Sequence, residues 1–198
     1  MAERAMYRLF PALALLLPLA ACGTGTTGEP PLAGARIGGT FALTDQNGKT
    51  VRDTDFAGKY RIVYFGYTYC PDVCPTDMAK IAQAMRQLDK EAPRTAAKVV
   101  PIFITVDPER DTPAAIRQFV ANFYPRTVGL TGSPKAIADV AKSYAVYYKK
   151  QPPGPGGGYM VDHLAVAFLM GPKGEPIASL PIDQEGAAIA EQVRHWVR

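Results

Sequence analysis

The stretch YFGYTYCPDVCPTDM, from Tyr64 to Met78, constrains this chain most, because it joins a buried strand to a helix through a pair of cysteines. An apolar run, Ile62-Val63-Tyr64-Phe65, reaches Gly66; Cys70 and Cys74 follow, each with a proline next in sequence, Pro71 and Pro75. The pattern reads as a buried strand that passes through a turn into a helix. The spacing of four predicts both cysteines on the first turn of that helix, pointing the same way. Free backbone N–H groups and the positive end of the macrodipole then lie near the thiols and favour thiolate, the reactive form. Such a pair can close as a disulfide or hold one soft metal ion, and at different times it can do both. A structural disulfide or two inert thiols is the plainer reading, which the flanking prolines at a strand-to-helix turn speak against.

The third cysteine has a different setting. Arg4 and Arg8 precede an apolar stretch from Leu9 to Leu19, and Leu19-Ala20-Ala21-Cys22 follows. This resembles a bacterial lipoprotein signal, in which the peptide before the cysteine is removed and the cysteine is lipidated. The stretch is short for a spanning helix, which needs about 20 apolar residues, and Pro11 and Pro18 interrupt it. Residues 1–21 are therefore expected to be a signal peptide, and Cys22 the lipid attachment point. Residues 22–35, rich in Gly, Thr and Pro, are expected to form a flexible membrane tether. The implied address is the bacterial cell envelope, lipid-anchored and facing the periplasm or exterior, where thiols are oxidised. A metal-binding pair there requires a thiol reductant as a partner.

Residues 36–198 fit one domain. Forty-seven per cent hydrophobic and 20% charged residues supply a core, and the net charge of +4 is scattered, with no basic block to support nucleic-acid binding. Ile37 to Leu43 predicts a strand, Asp45 to Lys49 a hairpin turn, and Thr50-Val51 the return. After the cysteines, Pro75 suits a first helical position, and Met78, Ile81, Ala82, Met85 and Leu88 recur at helical spacing. Lys98 to Val106 predicts a strand covered on both faces. Thr112-Pro113 and Ser133-Pro134 each predict a capped helix start, with a short strand at Thr127 to Leu130 between the helices. Val146 to Lys150 leads into a Pro/Gly-rich loop over residues 151–158. Tyr159 to Met170 then predicts a strand, Gly171 to Gly174 a turn, Pro176 to Leu180 a second arm, and Glu185 to Val197 a closing helix.

The segment around Cys70 and Cys74 closely resembles the copper-binding motif of the Sco/SenC family of thioredoxin-fold copper chaperones. Two further patches carry the resemblance: Val161-Asp162-His163, and Asp107-Pro-Glu-Arg-Asp-Thr-Pro113, which is similar to the family's DPxRDTP loop. The order of elements agrees, as an α/β thioredoxin-like sandwich with an added N-terminal β-hairpin and an extra helix. The resemblance implies a metal site of Cys70, Cys74 and His163, with copper, Cu(I) or Cu(II), as the ion. Two thiolates and an imidazole suit soft copper, whereas structural zinc usually takes a fourth protein ligand. Asp72 and Asp107 are candidates to support those ligands; for Asp111 and Thr112 a loop stop and helix cap is the preferred reading. His195 reads as surface, Met78 and Met170 as core, and Met160 as a weak ligand candidate.

The implied function is a membrane-tethered copper metallochaperone that helps assemble the copper site of cytochrome c oxidase. Its implied partners are the copper-accepting oxidase subunit, a periplasmic thiol reductant and another copper chaperone. Two alternatives remain open: a thiol-disulfide reductase that keeps the cysteines of that oxidase site reduced, and a redox or copper sensor. Thioredoxin has two residues between its cysteines and this chain has three, Pro71, Asp72 and Val73; no proline lies between Tyr159 and Met170. Both features favour metal handling over general disulfide exchange.

Overall fold

The computed structural model describes residue 1, residues 28–154 and residues 157–198. The predicted signal segment after Met1, Cys22, and the tether as far as residue 27 lie outside the described residues. The elements are β1 (Ala42–Asp45), β2 (Thr50–Arg52), β3 (Tyr60–Gly66), α1 (Val73–Glu91), α2 (Pro93–Ala96), β4 (Val99–Thr105), α3 (Pro113–Ala121), β5 (Val128–Thr131), α4 (Pro134–Ser143), β6 (Tyr148–Lys150), β7 (Val161–His163), β8 (Ala167–Met170), β9 (Pro176–Leu180) and α5 (Gly186–Trp196). One seven-stranded sheet has the order β2-β1-β5-β4-β3-β8-β9, and β6 and β7 form a separate two-stranded arm.

The apolar runs read from sequence become the centre of the sheet. Strands β3 and β4 pair in parallel over seven residues, from Tyr60 opposite Val99 to Gly66 opposite Thr105, and every residue of β3 is buried. Each such apolar side chain contributes about 1.5–3 kcal/mol on burial. Tyr64 and Phe103 stack on one face and reach Phe119 of α3, while Phe65 packs against Tyr144 on the other. Helix α1 buries Met78, Ile81, Ala82, Met85 and Leu88, as its spacing predicts, and packs beside α5. Thr112 and Ser133 cap α3 and α4 by accepting the amides of Ala115 and Ala136, both at 3.2 Å. The result is the thioredoxin-like sandwich with an N-terminal hairpin and an inserted helical segment between β4 and β8.

Three elements depart from the sequence reading. The hairpin ladder starts at Ala42 rather than Ile37, because Gly38 sits at φ 94°, outside the extended range of a strand. Residues 28–35, expected to belong to a free tether, include a turn held on edge strand β9: the Leu32 amide donates to the Ile177 carbonyl at 3.0 Å, and Leu32 packs on the core. The single strand expected over Tyr159 to Met170 is two strands in two sheets. Strand β8 runs antiparallel to β3, Met170 opposite Arg61 and Ala167 opposite Tyr64, so its upstream neighbours pass the end of β3 at Gly66. There the ladder has no partner, and residues 161–163 pair instead with β6, Tyr148 opposite His163.

The carboxyl ends of β3 and β4 are tied by a residue read from sequence as a mere loop stop. Asp111 is fully buried and accepts hydrogen bonds from the Thr68 amide at 2.9 Å, the Thr68 hydroxyl at 2.6 Å and the Thr105 hydroxyl at 2.6 Å. It thereby fixes the start of the cysteine loop to the sheet. Asp111→Ala is expected to destabilise the domain by about 3 kcal/mol, since it strands buried donors. Asp111→Asn, which keeps most of the bonds, should cost less than half of that. Urea unfolding of both variants checks this; equal losses would show that the carboxamide does not restore the bonds.

Candidate metal centre

The site forms where β3 runs out. A Cβ on Gly66 would meet Cys74 Sγ at 3.0 Å and Tyr64 Cε1 at 2.9 Å, so the helix start approaches the strand end as closely as a bare backbone permits. The chain then turns at Tyr67, whose carbonyl accepts the Cys70 amide at 3.3 Å. Cys70 precedes a proline and is steered away from the helical region. Only at Val73 does α1 begin, with Asp72 as its N-cap residue, so Cys70 lies in the turn and Cys74 alone on the first turn of the helix. Pro75 is the third helical residue rather than the first, a place where its missing N–H is still harmless.

This displacement changes the electrostatics expected for the pair. The Cys74 amide, one of the unpaired donors at the helix start, points at Cys70 Sγ at 3.4 Å. Burial pushes the half-buried Cys70 thiol up, but the amides of Cys74 and Asp72 outweigh it and hold the thiol below its ordinary value. Cys74 is fully buried, and burial, reinforced by the neighbouring Cys70, pushes its thiol well above the ordinary range. The expectation that the helix start favours thiolate at both cysteines therefore holds for Cys70 and fails for Cys74, where desolvation wins. Both are free thiols.

The third donor arrives from the arm. His163, at the end of β7, places Nε2 3.2 Å from Cys74 Sγ, and its Nδ1 lies 3.3 Å from the Leu164 carbonyl. A carbonyl only accepts, so Nδ1 carries the proton and Nε2 presents a lone pair to the thiol. Burial holds the imidazole below its ordinary pKa, against the pull of the Leu164 carbonyl and of Asp77 and Asp162, which keeps it neutral and fit to bind a metal. Tyr64 and Tyr67 fix the ring edge-on, with centroids 6.3 and 5.9 Å away. The two Sγ atoms and one ring nitrogen all lie within 4.8 Å of one another, close enough for a single ion. Cys70 and His163 line a cleft of about 400 Å³ together with Tyr67, Pro71, Val73 and Met160, while Cys74 lies buried behind them.

The supporting residues differ in part from those the sequence suggests. Asp72 is exposed, and its amide rather than its carboxylate serves Cys70. Asp107 is buried, and it accepts from Arg110 Nε at 2.5 Å and the Tyr159 hydroxyl at 2.8 Å, so it anchors other residues rather than touching the thiols. Met160 is exposed at the rim; burial pushes the Tyr67 phenol up to about 12, and this protonated hydroxyl donates to Met160 Sδ at 3.8 Å. Met78 and Met170 are core and His195 is exposed, as read from sequence. Sequence reasoning missed Asp77, buried one turn below Cys74, which accepts the Tyr64 hydroxyl at 2.9 Å. Its place three residues after Cys74 was the available signal.

The asymmetry of the thiols sets an order of reactivity. Iodoacetamide at pH 7.5 should alkylate Cys70 at least about tenfold faster than Cys74, because rate follows thiolate fraction and access. Peptide mapping at timed intervals reads this out; comparable rates would contradict the assignment of Cys70 as the activated thiol.

The SCO1/SenC family model matches residues 29–198. Protein SCO1 homolog 1, mitochondrial, of Arabidopsis thaliana is 47% identical over 146 residues, covering 73% of this chain and 42% of that protein. The structure of Bradyrhizobium japonicum ScoI with copper bound aligns at a TM-score of 0.73 and 42% identity, covering 81% of this chain and 99% of that one. BsSco, described as a member of the Sco family of cytochrome c oxidase assembly proteins with a disulfide switch, aligns at a TM-score of 0.61 and 26% identity, over 79% of this chain and 90% of that one. The matched regions span about half the length, or less, of the first curated relatives.

Proposed function

The chain belongs to the SCO1/SenC family, and we propose that it is a copper metallochaperone, holding copper through Cys70, Cys74 and His163 for delivery to the copper-accepting subunit of cytochrome c oxidase. The observation that carries this reading is the convergence of two sulfur atoms and one neutral imidazole nitrogen within 4.8 Å, from segments 89 residues apart. That donor set fits copper: thiolates suit the cuprous ion, and a nitrogen ligand helps to accommodate the cupric ion. The copper-bound ScoI of B. japonicum supports the same assignment.

Each residue has a distinct part. Cys70, half-buried and held toward thiolate, is the first donor an incoming ion meets at the cleft. Cys74 must give up its proton as the ion binds, so loading releases protons and strengthens with rising pH. His163 approaches from the arm with its lone pair already directed at the sulfur, and the Leu164 carbonyl fixes its tautomer. In an oxidising compartment a thiol reductant returns the pair to the free-thiol form before each loading, and an upstream copper chaperone supplies the ion.

The thiol asymmetry favours one second reading, a thiol-disulfide reductase. Cys70 thiolate would attack a partner disulfide and form a mixed disulfide. Cys74 thiolate would then attack Cys70 Sγ, releasing the partner as a dithiol and leaving Cys70–Cys74 oxidised, to be restored by the reductant. The copper reading stands first because an imidazole faces the pair where disulfide exchange needs no metal ligand.

Copper titration against a competing chelator separates the two. Cys70→Ser or Cys74→Ser is expected to abolish most copper binding. His163→Ala should weaken Cu(II) binding at least about tenfold while affecting Cu(I) less, since two thiolates alone can hold the cuprous ion. The cupric thiolate charge-transfer band should change in parallel. Unaltered affinity in either serine variant would remove the site assignment and promote the reductase.

We also propose that Cys22 is lipidated and tethers the domain to the envelope membrane. Among the described residues no helix is long and apolar enough to cross a membrane, and the apolar segment before Cys22 ends in a lipobox-like sequence. Cys22→Ala should move the protein out of the membrane fraction, while copper binding by the purified domain stays unchanged. Retention of the variant in washed membranes would point to an uncleaved anchor.

A further inference from the structure

We propose that Arg110 is a positioning residue that clamps the β6–β7 arm, and with it His163, against the cysteine loop. The inference deepens the copper-site reading and rests on it for its metal consequences. The arm is a two-stranded hairpin outside the main sheet, and such a unit is marginal unless something holds it. Val161 is buried in the core and secures one point of the arm. Just beyond it, where the strands diverge into the Pro/Gly-rich loop, Tyr159 is held by Asp107 and Arg110.

Arg110 lies at the junction of the three segments that make the site. From its own loop it pairs with buried Asp107, Nε to Oδ2 at 2.5 Å. To the arm, Nη1 donates to the Tyr159 carbonyl at 3.0 Å, and the guanidinium lies 3.7 Å from the centroid of the Tyr159 ring. The same ring returns a bond to the loop through its hydroxyl, which donates to Asp107 at 2.8 Å. Toward the cysteine loop, the guanidinium stands 4.8 Å from the centroid of Tyr69, directly before Cys70, and 5.8 Å from that of Tyr67. A planar cation that donates in its plane and offers its faces to aromatic rings meets these demands together; an ammonium does not. The neighbouring Lys150–Glu109 pair, 2.5 Å apart, also spans arm and loop, but both partners are exposed and screened by solvent.

The clamp acts on the ligand that joins the arm to the thiols. Without Arg110, Val161 still keeps the arm on the domain, but His163 is less confined relative to Cys74 Sγ. A two-thiolate Cu(I) site tolerates this, and a cupric site that relies on the imidazole does not.

The test uses Arg110→Met and Arg110→Lys, alone and combined with His163→Ala. In the metal-free protein, hydrogen exchange at Leu164 and Gln151, whose amides bond to the Tyr147 and Met160 carbonyls, should accelerate about tenfold in Arg110→Met with β3 and β4 amides unchanged. Cu(II) affinity should fall about tenfold, with a shifted charge-transfer band and Cu(I) affinity within about twofold of wild type. Combined with His163→Ala, Arg110→Met should produce no further loss, because its effect passes through the imidazole. Arg110→Lys should show the same pattern at smaller amplitude, and it serves if the methionine variant does not fold. The proposal is overturned by unchanged arm exchange, by acceleration across the main sheet as well, or by an equal Cu(II) loss with and without His163. A wild-type protein that binds no copper would instead remove the metal reading, leaving exchange in the arm to decide whether Arg110 is the clamp.

Discussion

The end of one strand organises this protein. Strand β3 is buried along its whole length between two helical layers, and its ladder stops at Gly66 because the chain must leave the sheet there. Two consequences follow from that stop. The outgoing chain turns sharply enough to bring Cys74, on the new helix, within contact of the strand end, and only a residue without a side chain fits between them. On the neighbouring strand, β8 loses β3 as a partner at the same level, and the chain upstream of it pairs with β6 and brings His163 over the cysteines. Sites in open α/β sheets gather beyond the carboxyl ends of the strands, and here the reason can be traced to register.

Burial and orphaned amides then divide the two cysteines. They differ by four positions in sequence, yet one sits in a turn facing the amides of the helix start and the other on the buried face of the helix's first turn, with no access to water. The first is stabilised as thiolate, the second as thiol. For the copper role proposed above, an outer donor that is ready and an inner one that yields its proton on binding suit a cargo that must enter and leave. A pair ionised at both positions would repel itself in the absence of metal, and a pair buried at both would be slow to load.

Rigidity at this site comes from buried carboxylates that do not bind the ion. Asp111 pins the cysteine loop to the sheet through Thr68 and Thr105, Asp107 holds Arg110 and Tyr159, and Asp77 takes the Tyr64 hydroxyl below Cys74. Each buried acid has its hydrogen-bond partners, and each connects an element that carries a ligand to one that does not. The tyrosines of the YFGYTY run serve the same end: Tyr64 and Tyr67 face the imidazole, while Tyr69 turns outward toward Arg110.

Much of this was legible in the chain itself. The apolar runs at 62–65 and 99–106, the helical spacing after Cys74 and the Ser/Thr-Pro starts of α3 and α4 are local signals, and local sterics and solvation enforce them. The cysteine pair and its preference for soft metals were likewise evident, because they rest on residue type and separation. His163 was identifiable only through resemblance, since nothing local distinguishes it from His195, which lies exposed on α5. What tertiary structure alone decided is the register between β3 and β8, and hence the splitting of residues 159–170 into an arm and a strand. It also decided which cysteine is desolvated, and it gave Asp111 and Arg110 their partners in distant segments. These outcomes depend on which surfaces exclude water from which groups after the sheet has closed, and no window of sequence contains that information.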